Sequence, residues 1–125
     1  MTHSQVQLQF AIMVCHQPDQ VLRARSALRF TQSVLQSGHG LDSVYFYQSA
    51  AAMGLKSTLV SSDDYDPQQQ WQSLASTYGI ALQICVGSAQ RRGVVDKTLA
   101  QGFEITGLGQ WIAAVGRADR VLRFP

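Results

Sequence analysis

Short apolar runs of strand length alternate with amphipathic helical patterns along the 125-residue chain, and that alternation limits the fold class more than any other feature. Residues 7–14, Gln-Leu-Gln-Phe-Ala-Ile-Met-Val, begin by alternating and then turn continuously apolar, as a strand entering a covered core does. His16-Gln17-Pro18-Asp19 breaks this run. From Gln20 onward, Val21, Ala24, Leu28, Thr31 and Leu35 recur at helical spacing beside Arg23, Arg25 and Arg29, which predicts an amphipathic helix that Gly38 ends. Residues 41–47 make a second strand around Val44-Tyr45-Phe46-Tyr47. Residues 48–64 read as a long loop with a helical turn near residues 50–53. Asp66 then caps a helix with Pro67 at its first position and Gln69 three residues after the cap. Trp71, Leu74, Ala75 and Tyr78 form its expected buried stripe, and Gly79 stops it.

A third strand spans residues 80–86, followed by a loop or short helix at 94–102 and a brief strand at 103–106. A last helix runs from Thr106 or Gly107 through Trp111, Ile112 and Val115, and an edge strand closes the chain at 120–124. Alternation at this spacing, in a chain too short for two cores of normal size, predicts one domain over residues 1–125. The expected architecture is a three-layer α/β sandwich with a mostly parallel central sheet.

Several functions are disfavoured. The longest apolar run, residues 10–15, falls far below the roughly 20 residues that span a bilayer, so no membrane partner is expected. The start of the chain has no signal-peptide character, and two cysteines without a CxxC pairing suit free thiols in a reducing compartment; the expectation is a cytoplasmic protein. Ten basic against eight acidic residues leave no phosphate-binding stripe, which argues against direct nucleic-acid binding. Three histidines and two cysteines show no ligand spacing for a metal. Asp63, Asp64 and Asp66 read better as a solvated turn and cap than as paired catalytic carboxylates. Gly38-His39-Gly40 and Gly107-Leu108-Gly109 match no phosphate loop, and no serine stands in a nucleophile elbow.

The third strand runs without a spacer into Gly87-Ser88-Ala89-Gln90-Arg91-Arg92-Gly93, which puts Cys85 at the carboxyl end of the strand. There the amides of Gly87, Ser88 and Ala89 open a short helix, with Arg91 and Arg92 within two turns. Such surroundings lower a thiol pKa and would equally hold a persulfide anion. The alternative is an inert, buried Cys85 acting as a small hydrophobe. Cys15 also ends a strand, beside His16. A Cys–His pair there competes with a plain core thiol, because adjacent strand residues point to opposite faces.

Ile84-Cys85-Val86-Gly87-Ser88-Ala89-Gln90-Arg91-Arg92-Gly93-Val94 resembles the sulfur-carrying segment of the TusD/DsrE family of small cytoplasmic sulfur-relay proteins. The likeness extends over the first strand, residues 38–47, residues 71–80 and residues 101–121. It implies a DsrE-like fold and a sulfurtransferase in which Cys85 takes sulfane sulfur as a persulfide from a TusA-like donor and passes it to a TusE-like acceptor, without metal or organic cofactor. Gly87, Ser88, Arg91 and Arg92 would support the anion, or the arginines would orient an acidic carrier surface. The resemblance further implies TusB- and TusC-like subunits in a dimer of heterotrimers, with the sulfur destined for the 2-thiouridine of a tRNA wobble base. A DsrE-like role in sulfur oxidation, or a non-catalytic scaffold subunit, are the alternatives. Residues 16–20 and 96–101 depart from the family pattern, and Cys15 is an added thiol.

Overall fold

The computed structural model describes residues 6–56 and 66–125. Strand β1 (Gln9–Val14) leads to helix α1 (Val21–Gln36), strand β2 (Gly40–Phe46) and a 3-10 helix (Gln48–Gly54). Then come α2 (Pro67–Tyr78), β3 (Ala81–Cys85), α3 (Val86–Gln90), β4 (Phe103–Thr106), α4 (Leu108–Arg117) and β5 (Arg120–Phe124). The five strands form one sheet in the order β4-β3-β2-β1-β5. Every pairing is parallel, so the sheet expected to be mostly parallel is wholly so, with β5 at the edge beside β1.

Local chemistry sets the element ends. The Asp66 carboxylate accepts from the Gln69 N–H at 3.3 Å with Pro67 at the first helical position, and Gly79 closes α2 at φ +67°. Gly38 at φ +83° turns the chain out of α1, while the His39 N–H donates to the Val34 carbonyl. The helical turn expected near residues 50–53 is the 3-10 helix. Residues 94–102 form turns, tied to the 3-10 helix by an isolated antiparallel bridge between Leu55 and Leu99. Asp63 and Asp64 lie outside the described residues.

Strands β1 to β4 are laid down stepwise in one direction. Parallel crossovers are right-handed almost without exception, so the return from β4 to β5 must cross the opposite face of the sheet from α1 and α2. Side-chain alternation agrees. Ile12, Val14, Val44, Phe46, Leu82 and Ile84 pack with Ala27 and Leu28 of α1 and with Trp71 and Leu74 of α2. Phe46 and Trp71 meet edge to face at 5.4 Å. The other face carries Met13, Cys15, Tyr45 and Cys85, against which Trp111 of α4 packs.

One expectation about burial is corrected. Tyr78 is exposed, because the apolar stripe of α2 closes at Ala75 and the last turn before Gly79 faces out. Helix α4 has no buried residue, and its Leu108, Ile112 and Val115 all face solvent. Among the described residues no helix is long and apolar enough to cross a membrane.

Gly54 at the end of the 3-10 helix sits against Ile84, and an added Cβ would collide with the Ile84 Cδ1. Ile84 is fully buried and cannot swing away. Gly54→Ala should therefore cost about 1–3 kcal/mol through overpacking, read as a lowered urea midpoint with an unchanged slope.

Candidate functional site

Cys85 is the last residue of β3 and the residue before α3, so the chain passes from extended to helical backbone with nothing between. Register brings a second element to it. Tyr45 of β2 pairs with Gln83, two residues before Cys85, and residues two apart on a strand share a face. Cys85 as a residue is 8% exposed.

Burial alone pushes that thiol up. Against it act the backbone N–H and hydroxyl of Ser88, the backbone N–H of Gly87 and the hydroxyl of Tyr45, which together bring the Cys85 pKa below the ordinary thiol value. The Ser88 hydroxyl is buried and oriented: its oxygen accepts the Gln48 N–H at 2.9 Å, which leaves its proton for the sulfur. Gln48 is held at φ +53°, a left-handed conformation uncommon for a residue with a side chain. Burial, followed by the charge on Cys85, raises Tyr45 far above the usual phenol value, so it remains an O–H donor at any physiological pH. Among the described residues the Tyr45 hydroxyl has no oxygen or nitrogen partner. Its approach to the Cys85 sulfur falls short of full hydrogen-bond geometry, and a charge on that sulfur would draw it in.

The structure places Gly87 and Ser88 as donors to Cys85, while Ala89 is absent from the groups that lower its pKa. Gly87 serves through its N–H and not through its lack of a side chain, since a Cβ added there would meet nothing within 4 Å. Arg91 and Arg92, expected either to support the anion or to orient an acidic carrier surface, are not among the groups that lower the thiol. The reason is the shortness of α3, which ends at Gln90 with Arg91 as its C-cap. Arg91 is exposed there, and Arg92 folds back so that its Nη1 donates to the Ser88 carbonyl at 3.1 Å. Arg92 thus braces the turn that holds Ser88. Tyr45 is the residue that sequence reasoning missed: within a run of β-branched and aromatic residues, only the β2–β3 register reveals which tyrosine meets the thiol.

Cys15 follows β1 directly and shares the apolar cluster with Tyr45 and Cys85. Strand β2 lies between the two cysteines, a separation of about 10 Å at the usual strand spacing, which is too wide for a disulfide. Cys15 does not pair with His16; its sulfur instead accepts the Arg123 Nε–H at 3.4 Å. No group of three or more His, Cys, Asp or Glu side chains gathers among the described residues.

The DsrE/DsrF-like family model matches residues 9–124, which takes in every strand and helix just described. The chain belongs to the DsrE/DsrF-like family. It is 39% identical to the Sulfurtransferase TusD of Enterobacter sp. (strain 638) and 38% identical to that of Salmonella newport (strain SL254), in each case over 94% of this chain and 100% of the relative. These relatives class this DsrE/DsrF-like chain with the sulfurtransferases. The fold is shared with the ychN protein from E. coli, at TM-score 0.82 and 21% identity over 94% of this chain and 100% of that one. A protein of unknown function from Methanobacterium thermoautotrophicum superposes at TM-score 0.69 and 13% identity, over 91% and 97% of the two chains.

The donor set can be tested without a substrate. The pH profile of Cys85 alkylation, measured in a Cys15→Ser background, should move to higher pH in Ser88→Ala and by less in Tyr45→Phe, because each change removes a donor to the anion. Gly87→Ala, which keeps its N–H, should leave the profile in place.

Proposed function

We propose that this chain is the sulfur-carrying subunit of a cytoplasmic relay, holding sulfane sulfur on Cys85 as a persulfide. The observation that carries the reading is a thiol whose pKa is lowered despite burial by donors from Ser88, Gly87 and Tyr45. A thiolate so held is both the nucleophile for sulfur exchange and, once loaded, an anion with its charge on the outer sulfur.

The Cys85 thiolate attacks the outer sulfur of a persulfide on a TusA-like donor. The donor's S–S bond breaks, its cysteine leaves as a thiolate, and a new S–S bond forms on Cys85. Attack by a thiolate of a TusE-like acceptor on the outer Cys85 sulfur repeats the exchange and frees the enzyme. No electrons are gained or lost overall, so the exchange needs neither a redox partner nor a metal. Gly87, Ser88 and Tyr45 stay in place through both steps and receive whichever sulfur carries the charge. Arg92 keeps the turn closed, and exposed Arg91 is available to an acidic carrier surface.

Resemblance to TusD-like relay proteins directs the sulfur toward 2-thiolation of a tRNA wobble uridine, with sulfur oxidation as the other destination. It also supplies the partners, TusB- and TusC-like subunits in a dimer of heterotrimers. Helix α4 supports that part of the proposal. Its Leu108, Ile112 and Val115 leave an apolar face in water, as a surface built to be covered does.

The 8% exposure of Cys85 favours the scaffold reading, in which the thiol never meets a carrier. Loading with a persulfide donor followed by intact-mass measurement separates the two. Wild type and Cys15→Ser should each gain sulfur and Cys85→Ser none; equal loading of the two single variants rejects the assignment, and full pathway output from Cys85→Ser favours a scaffold. Ile112, 64% exposed, gives an independent check on partners. Ile112→Asp should leave the circular-dichroism spectrum and sulfur loading intact while abolishing co-elution with the homologous subunits.

A further inference from the structure

The chemistry that the reading above leaves unused gathers at the carboxyl ends of β1 and β5. Strand order reverses there, since β5 lies on the side of β1 away from β2, and open parallel sheets bind ligands at such a reversal. A cavity of about 300 Å3 opens at this place, lined by Cys15, His16, Arg23, Gln48, Ser49 and Arg123 among others. No aspartate or glutamate side chain is among the described residues that line it, and Pro125, whose main-chain oxygen takes one Arg23 N–H, lies at its wall.

Three features suit it to an anion. Arg123 gives its Nε–H to the Cys15 sulfur at 3.4 Å, and the rest of its donor fork has no hydrogen-bond partner among the described residues. Arg23 adds a second guanidinium, anchored by an Nη1 contact to the Pro125 main-chain oxygen at 3.4 Å. His16 is only 4% exposed, yet neither ring nitrogen completes a hydrogen bond among the described residues. Burial and then Arg23 push its pKa down, with the Phe124 carbonyl acting the other way, so the ring is neutral and keeps one N–H to donate. The Phe124 carbonyl is the nearest acceptor and falls short of full hydrogen-bond geometry, so this buried ring is incompletely satisfied, which is uncommon in proteins.

The thiol selects among anions. Sulfate and phosphate present only oxygen, whereas thiosulfate ends in a polarisable sulfur that suits contact with a Cys15 sulfur at the cavity wall. We infer that this cavity binds a small sulfur oxoanion of the thiosulfate class, held by the Arg123 and Arg23 guanidiniums and the His16 N–H, with its sulfur end toward Cys15. The site stands whether or not Cys85 carries sulfur. It also adjoins the Cys85 site, because Gln48 lines the cavity and gives its N–H to Ser88.

The test titrates the full chain with sodium thiosulfate and, separately, with sodium sulfate, at constant ionic strength set by sodium chloride. Amide shifts of Gln17, Gln48 and Ser49 and the ring nitrogen shifts of His16 should saturate with thiosulfate. Arg123→Gln, a change at an exposed residue, should weaken binding by about tenfold, as expected for loss of a charge-assisted contact. Cys85→Ser should bind as wild type does, which separates this site from the sulfur-carrying one. Shifts no larger than those from chloride, an unmoved His16 ring, or an Arg123→Gln affinity equal to wild type would each overturn the site. Equal affinity for thiosulfate and sulfate would overturn the part given to Cys15.

Discussion

A buried thiol ionises more readily than a free one only when the protein supplies enough donors to outweigh the loss of water, and the placement of those donors shapes this end of the molecule. Gly87 and Ser88 offer their N–H groups because β3 becomes α3 with no residue between. Ser88 offers its proton because the Gln48 N–H occupies its oxygen. Gln48 is where it is because β2 ends one strand away from β3 and turns at once into a 3-10 helix at φ +53°. A parallel sheet makes this economical: it brings the carboxyl ends of β1, β2 and β3 to one rim, so groups 40 residues apart in sequence become neighbours.

The two faces of the sheet have different duties. The α1–α2 face is sealed by large side chains, each contributing about 1.5–3 kcal/mol by burial, and provides the rigid floor for Ile84 and hence for Cys85. The α4 face is thin, with Met13, Cys15, Tyr45 and Cys85 under a single helix that buries none of its own residues completely. A fold held mainly from one side can leave the other for contact with proteins, and the polarisable and polar groups sit on that thinner side.

Much of this was legible in the chain. Alternating strand and helix patterns fix the α/β class, and the absence of a spacer between residues 80–86 and Gly87 places Cys85 at a strand end. Three things were not legible, each for a physical reason. Tyr45 and Tyr47 look alike in sequence, and only the pairing of Tyr45 with Gln83 assigns one of them to the thiol. Arg91 and Arg92 are close to Cys85 in sequence, but proximity along a five-residue helix puts them at its far end, where Arg92 turns to a backbone carbonyl. The periodicity of Leu108, Ile112 and Val115 announces an amphipathic helix without saying whether its apolar side meets this chain or another.

Tyr45 shows why a site of this kind tolerates an imperfect contact. A buried hydroxyl without a full partner costs about 1–3 kcal/mol, and phenylalanine would avoid that cost at nearly the same volume. The cost is recovered only when the neighbouring sulfur is charged, since hydrogen bonds to an ion are roughly twice as strong as neutral ones. The resting thiol therefore leaves Tyr45 underused, and the anion, whether thiolate or persulfide, engages it. The hydroxyl stabilises the charged form more than the neutral one, which is the same discrimination that the Ser88 and Gly87 donors exert on the sulfur.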